Sequence, residues 1–340
     1  MNDNYYLIFI FLFALAINYF FQKKKLLCSF TGEIHQRHTS KENVPLTGGI
    51  ILFFFIIKVF FNEFQDLQIF IFLILLIGIF SDLKLIKSAN KRFVYQIIIS
   101  FFCVFINKIT ILNTGIGYLD IILTNNIFNY FFVTFCILII LNGTNFSDGL
   151  NTLVIGYYLI VLFFIYKLNL FNFLNIDPLK IILLGSLFLF IFFTNLFNKL
   201  YLGDSGSYLL GFLFSIILIR IYYNYQEISS FYIVLLLWYP AFENLFSFLR
   251  KNLEKKSPLE PDKKHLHQLI FNLLKKKYKL ESNFSNILTA QLINIYNFFI
   301  IYLASTNIYD SQFQILLITL NIVLYIVMYV KLVTLISRTK

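Results

Sequence analysis

Residues 131–156 read FFVTFCILIILNGTNFSDGLNTLVIG. The first eleven positions are apolar save for Thr134. Asn142, Thr144, Asn145, Ser147, Asp148 and Asn151 then crowd into ten positions, with Gly143 and Gly149 among them. The apolar part is continuous, whereas a membrane β-strand would alternate polarity every second residue. It therefore predicts a helix over about 126–141 that is apolar all round, as a helix immersed in lipid must be. The polar cluster marks the place where that helix leaves the lipid.

The rest of the chain repeats the pattern. Its 340 residues are 59% hydrophobic and 13% charged, with a mean hydropathy of +0.77. Soluble domains run nearer 45–50% apolar and about 25% charged. Apolar runs fall near 5–21, 46–61, 67–80, 93–107, 126–141, 151–167, 179–197, 205–223, 230–248, 286–304 and 312–335. The expectation is an all-α polytopic membrane protein of about eleven spans, forming one domain over 1–340. The stretch 108–125 is too polar to cross and is expected to form a short extracytoplasmic hairpin. The first run has its lysines (Lys23, Lys24, Lys25) behind it rather than before it and lacks a small-residue cleavage site, so a retained first span is expected.

With residue 1 outside, the cytoplasmic segments are 22–45, 81–92, 142–150, 198–204, 249–285 and the tail from 331. They hold 23 of the 28 Lys and Arg. That bias sets the orientation and makes the net charge of +11 a matter of topology; nucleic acid is not an expected partner. Segment 249–285 is the one large basic loop. Cys28, Cys103 and Cys136 lack pair spacing and read as apolar fillers.

Three acids sit at mouths of apolar spans on this face: Asp82 in FSDLKLIKSANKRF, Asp148 in NGTNFSDGLN and Asp204 in YLGDSGSYLLG. Each alone reads as a helix cap. Three on one side, beside glycines and amides, read as a site. Carboxylates at glycine-bordered helix starts suit Mg²⁺ and phosphates, because Mg²⁺ takes one or two carboxylates plus phosphate oxygens and a helix N-terminus offers free N–H groups. Arg92 beside Asp82, and Arg250 after the ninth span, are the cations available for further phosphate charge. His265 and His267 stand at i,i+2, which puts them on different faces if both are helical. With no cysteine or HExxH partner, they suit a nucleotide phosphate or base better than zinc.

Taken in order, HQRHTSKENVPLTGG, FSDLKLIKSANKRFVYQ, NGTNFSDGLN, YLGDSGSYLLG and RKNLEKKSPLEPDKKHLHQL resemble the motifs of the MraY/WecA family of polyprenyl-phosphate N-acetylhexosamine-1-phosphate transferases. The resemblance covers nearly the whole chain. It implies attack of a polyprenyl (undecaprenyl) phosphate on a UDP-linked amino sugar, with Mg²⁺, at the cytoplasmic face of a bacterial inner membrane; a homodimer is also expected. It implies Asp204 as metal ligand and catalytic residue with Asn145 beside it, and Asp82 and Asp148 as the other catalytic acids. Lys41, Arg92, Asn142, Asn145, Asn151, Tyr201, His265 and His267 are implied substrate contacts, Tyr201 as a ring for uracil. The short HLHQ points to the WecA/TagO-like branch, which uses simple UDP-N-acetylhexosamines.

Two positions depart from the family. The paired acids are Ser81–Asp82, and the Asp-Gly-x-Asp motif ends in Asn151. A phosphate monoester is already largely ionised at pH 7, its second pKa being about 6, so the lost acid is dispensable as a base. Two rival readings are a secondary transporter, disfavoured by acids that cluster at span ends rather than mid-span, and a catalytically silent family member.

Overall fold

A computed structural model describes residues 3–28, 44–255 and 264–337. Lys41, together with His35, His38, Glu260 and Asp262, lies outside the described residues. The protein is 77% helical and has no strand among the described residues. The helices are α1 (Asp3–Lys24), α2 (Gly48–Val59), α3 (Gln68–Asp82), α4 (Ala89–Ile106), α5 (Gly117–Leu123), α6 (Asn126–Ser147) and α7 (Leu153–Lys167). After a 3-10 turn come α8 (Pro178–Leu196), α9 (Gly203–Asn224), α10 (Ser230–Leu236), α11 (Trp238–Leu253), α12 (Leu266–Lys276), α13 (Ser282–Ala304) and α14 (Ser311–Ser337).

Each expected apolar run is thus helical, the ninth as two helices. Six of them (α4, α6, α8, α9, α13 and α14) are long and apolar enough to cross a membrane, seven if α10 and α11 count as one broken span. Among the apolar helices, α2, α3 and α7 are shorter, 12 to 15 residues. Length and composition therefore support an all-α polytopic membrane fold, with six or seven full-length spans among the described residues.

Helix α9 is the hub. Its apolar window is 94% buried, and α2, α3 and α6 pack directly on it. Glycines make this closeness possible, as small residues do where helix backbones meet in membranes. A Cβ on Gly78 of α3 would lie 2.2 Å from Ser205 Cα, and one on Gly49 of α2 would lie 2.4 Å from Gly206 N. On the other flank, a Cβ on Gly143 of α6 would strike the Pro240 carbonyl of α11.

The ninth run is not one straight helix. Helices α10 and α11 meet at 79°, and Pro240 explains the break. It has no N–H for the Leu236 carbonyl four residues back, and that carbonyl instead accepts from the Tyr157 hydroxyl at 2.8 Å. Segment 108–125 is also more ordered than a simple hairpin: it contains α5 and is pinned by Asn129, which exchanges hydrogen bonds with Ile111 N and O. Polar, sub-membrane length hides such a helix in sequence because its burial comes from long-range contacts. The basic loop expected at 249–285 begins inside α11 and contains α12, which packs on α13 and α14.

Candidate active site

Asp204 lies in the first turn of α9, after Gly203, whose φ of +73° is the left-handed geometry that glycine adopts without strain. Oδ1 of Asp204 accepts from Asn145 Nδ2 at 2.8 Å. Oδ2 accepts from Arg92 Nη1 at 3.0 Å and from the Ser81 hydroxyl. Ser81 accepts in turn from the same Arg92 nitrogen. Residues from α3, α4, α6 and α9 therefore close one cluster. Arg92 uses only Nη1 there; its other guanidinium nitrogens have no hydrogen-bond partner among the described residues, and its side chain is 27% exposed.

Asp82, expected among the catalytic acids, is placed as a cap. Its Oδ1 accepts the Asp204 N–H at 2.8 Å and its Oδ2 the Ser205 N–H at 3.1 Å. It caps α9 from another helix, satisfying two of the N–H groups a helix start leaves open. A carboxylate there also complements the helix dipole. The cap reading applies to Asp82 and not to Asp204.

Asp148 follows the end of α6, where its N–H donates to the Asn145 carbonyl, and its carboxylate has no hydrogen-bond partner among the described residues. Burial pushes its carboxyl well above the usual range, and the neighbouring charges of Asp204 and Asp82 add to the rise. Three carboxylates thus face a single paired arginine.

The histidines close the other wall. His265 is the N-cap of α12, in extended backbone, with a capping box to Gln268. Because only His267 is inside the helix, the two rings stack at 5.6 Å and 11°, against the divergence expected if both were helical. His265 also lies 5.4 Å from the Phe146 ring. His267 is fully buried, and neither ring nitrogen has a partner among the described residues. A Cβ on Gly149 would lie 2.8 Å from its Nε2, so this glycine lets the imidazole reach the Asp148 turn. Burial holds His267 down at about 4, leaving a neutral ring near pH 7. Lys251, buried at the end of α11, lies over the Phe146 ring at 5.8 Å.

The other expected contacts have partners within the protein. Asn142 donates to the Leu138 carbonyl of its own helix. Asn151 Nδ2 donates to Asn198 Oδ1 at 2.6 Å and to the Asn195 carbonyl, while its N–H reaches Asn286. The Tyr201 hydroxyl donates to the same Asn198 oxygen. Asn151 and Tyr201 thus belong to an amide clamp at the α6–α7 turn, which also holds Thr152 (φ +68°) through Asn195. Arg250 pairs with Glu254 and lies over Tyr329 of α14. The group that sequence reasoning left without a role is Glu243, a lone acid in an apolar run and therefore a signal in itself.

Residues 65–222 match the model of glycosyl transferase family 4. This family is shared by MraY/WecA-type enzymes. No curated protein matches the chain. The family 4 segment contains Ser81, Asp82, Arg92, Asn145, Asp148 and Asp204, the whole cluster around the start of α9, and supports a glycosyltransferase-type enzyme with glycosyl-phosphate transfer in the membrane. His265 and His267 lie beyond it.

Proposed function

We propose that the chain transfers an N-acetylhexosamine-1-phosphate from a UDP-aminosugar to polyprenyl phosphate, releasing UMP, at the cytoplasmic face of a bacterial inner membrane as the first step of a cell-envelope glycan. The observation that carries this reading is the convergence of Asp204, Arg92, Asn145 and Asp148 at the start of α9, with the histidine wall of α12 against the Asp148 turn.

The residues fit Mg²⁺. No group of three His, Cys, Asp or Glu side chains forms a metal cage among the described residues, but Mg²⁺ needs only one or two carboxylates, keeping waters and substrate phosphate oxygens for the rest. Asp148, with its unpartnered carboxylate, and Asp204 would hold it, with the Asn145 amide oxygen beside them. Bound there, the ion would neutralise diphosphate charge as the leaving group departs.

The chain's own groups do the remainder. Asp82 fixes the start of α9, and Asn145 and Ser81 fix the Asp204 carboxylate. The outward donors of Arg92 bind an incoming phosphate. An oxygen of the lipid phosphate, already ionised near neutral pH, attacks the β-phosphorus of the nucleotide sugar; the bond from that phosphorus to the bridging oxygen breaks, and UMP keeps the electron pair. Neutral His267 and its neighbour His265 offer ring nitrogens to the nucleotide side. Catalysis is positioning plus electrostatic stabilisation.

The test uses membranes containing the full chain, polyprenyl phosphate, Mg²⁺ and labelled UDP-GlcNAc, UDP-GalNAc or a deoxy-aminosugar nucleotide. A butanol-soluble labelled lipid and UMP are expected, both lost in Asp204→Asn. Absence of product with every nucleotide sugar from folded protein overturns the reading.

A further inference from the structure

Glu243 is 1% exposed and sits in the apolar helix α11. Its Oε1 accepts from His265 Nδ1 at 2.9 Å and from the Leu266 N–H at 3.1 Å. Its Oε2 accepts from the Tyr325 hydroxyl of α14 at 2.8 Å. Stability alone does not account for a carboxylate here. Taking a charge out of water costs several kcal/mol, roughly, and well-packed apolar groups often replace buried polar sets without loss. The three bonds instead share a geometric consequence.

Helix α11 is locked to α6 just where Glu243 leaves it. Pro240 abuts Gly143, and Asn244 Nδ2 donates to the Ile139 carbonyl at 2.9 Å. Since α6 carries Asn145 and Asp148, the Glu243 carboxylate transfers the register of α6 to the first turn of α12. Accepting the Nδ1 proton fixes one tautomer of His265 and turns its ring onto Phe146. Nε2 is the ring nitrogen that Glu243 does not hold. A hydrogen bond to one imidazole nitrogen commonly decides what the other can do.

We propose that Glu243 is a positioning residue for the sugar-phosphate transfer, orienting His265 so that Nε2, the accepting nitrogen of that tautomer, meets a hydroxyl or N–H donor of the departing nucleotide, with Tyr325 as the second anchor. This rests on the transferase reading above. It also gives α14, more than a hundred residues from the start of α9, a part in the reaction.

The experiment measures kcat and KM for the UDP-sugar in detergent-solubilised full chain, normalised to folded protein by size exclusion and thermal melting. Glu243→Gln retains an oxygen toward His265 and Leu266 and an amide toward Tyr325, and is expected within about tenfold of wild type. Glu243→Leu is expected to lower kcat about a hundredfold while KM changes less than threefold. Tyr325→Phe, which keeps the ring packing and secures the test if Glu243→Leu does not fold, is expected to lower kcat three- to tenfold at unchanged KM. A wild-type kcat per folded Glu243→Leu, or per Tyr325→Phe, overturns the proposal while leaving the transferase reading in place. No product from the wild-type chain overturns both.

Discussion

Helix α9 carries an acid–arginine pair at each end, and the two ends are built differently. At the N-terminal end Arg92 meets Asp204, in the company of Asp82 and Asp148. At the other end, about 24 Å along the axis at 1.5 Å per residue, Arg220 forms a fork with Asp66, and Lys180 pairs with Glu63 at 2.6 Å. Glu63 and Arg220 line a cavity of about 210 Å³ that also meets Asn175 and Asn224. There each cation has its own acid. At the Asp204 end carboxylates outnumber the arginine, Arg92 keeps donors to spare, and the Asp148 carboxylate and the His267 ring nitrogens are left without hydrogen-bond partners among the described residues. Balanced charge braces helices; unbalanced buried charge waits for something to neutralise it.

The sharpest way to break this comparison is to remove both arginines separately. Arg92→Ala is expected to cut transfer by about 10²- to 10³-fold, the usual cost of losing a donor at a developing charge, with little change in melting temperature. Arg220→Ala should leave transfer within about twofold and cost about 1 kcal/mol of stability, as a partly exposed pair does. If the two variants behave alike, the ends are not distinct.

Packing offers the next largest effect. Gly78→Ala places a methyl 2.2 Å from the Ser205 backbone and is expected to cost about 1–3 kcal/mol by overpacking, read as a lowered melting temperature. Because it pushes the first turn of α9, transfer should fall with it.

Acid sensitivity should also belong to the Asp204 end. His267 ionises at about 4 when folded and near 6.5 when unfolded. Below pH 6.5 the unfolded chain takes up a proton that the folded chain refuses, so the His267 contribution is complete above pH 6.5 and is lost as pH falls toward 4. His267→Gln is expected to flatten the fall in melting temperature between pH 6.5 and 4.5; an unchanged slope would contradict the assignment. The smallest effect is that of Ser81→Ala. It removes one hydroxyl between Arg92 and Asp204 and should lower transfer about fivefold, a hydrogen bond's worth of about 1 kcal/mol.

Much of this was legible from residue patterns. Continuous apolar runs named the helices because lipid imposes the same demand on every residue of a span. The polar breaks named Asp204, Asn145, Arg92 and Asp148 because charged groups at a membrane surface have few bland uses. The direction of each side chain was not legible. Whether Asp82 caps a helix or faces a substrate depends on α9 arriving 122 positions later in the chain. Asn151 read as a pocket residue because its neighbours were, yet its partners Asn195, Asn198 and Asn286 come from two other helices and a turn. Glu243 was visible as an isolated acid, but its partners His265 and Tyr325 are 22 and 82 residues away.

The cap that Asp82 provides has a consequence for how the molecule is made. A helix capped from within its own sequence is complete as soon as it is synthesised. The start of α9 is not, because its two leading N–H groups are satisfied only by the end of α3. The polypeptide therefore leaves the ribosome with α3, α4 and α6 already threaded and still has no assembled centre. Closing so long a loop costs only slightly more than closing a short one, so the delay carries little thermodynamic penalty. The Asp204 cluster closes only when α9 packs against Gly49 and Gly78, and a nascent chain halted before residue 203 holds Arg92, Asn145 and Asp148 without the acid that joins them.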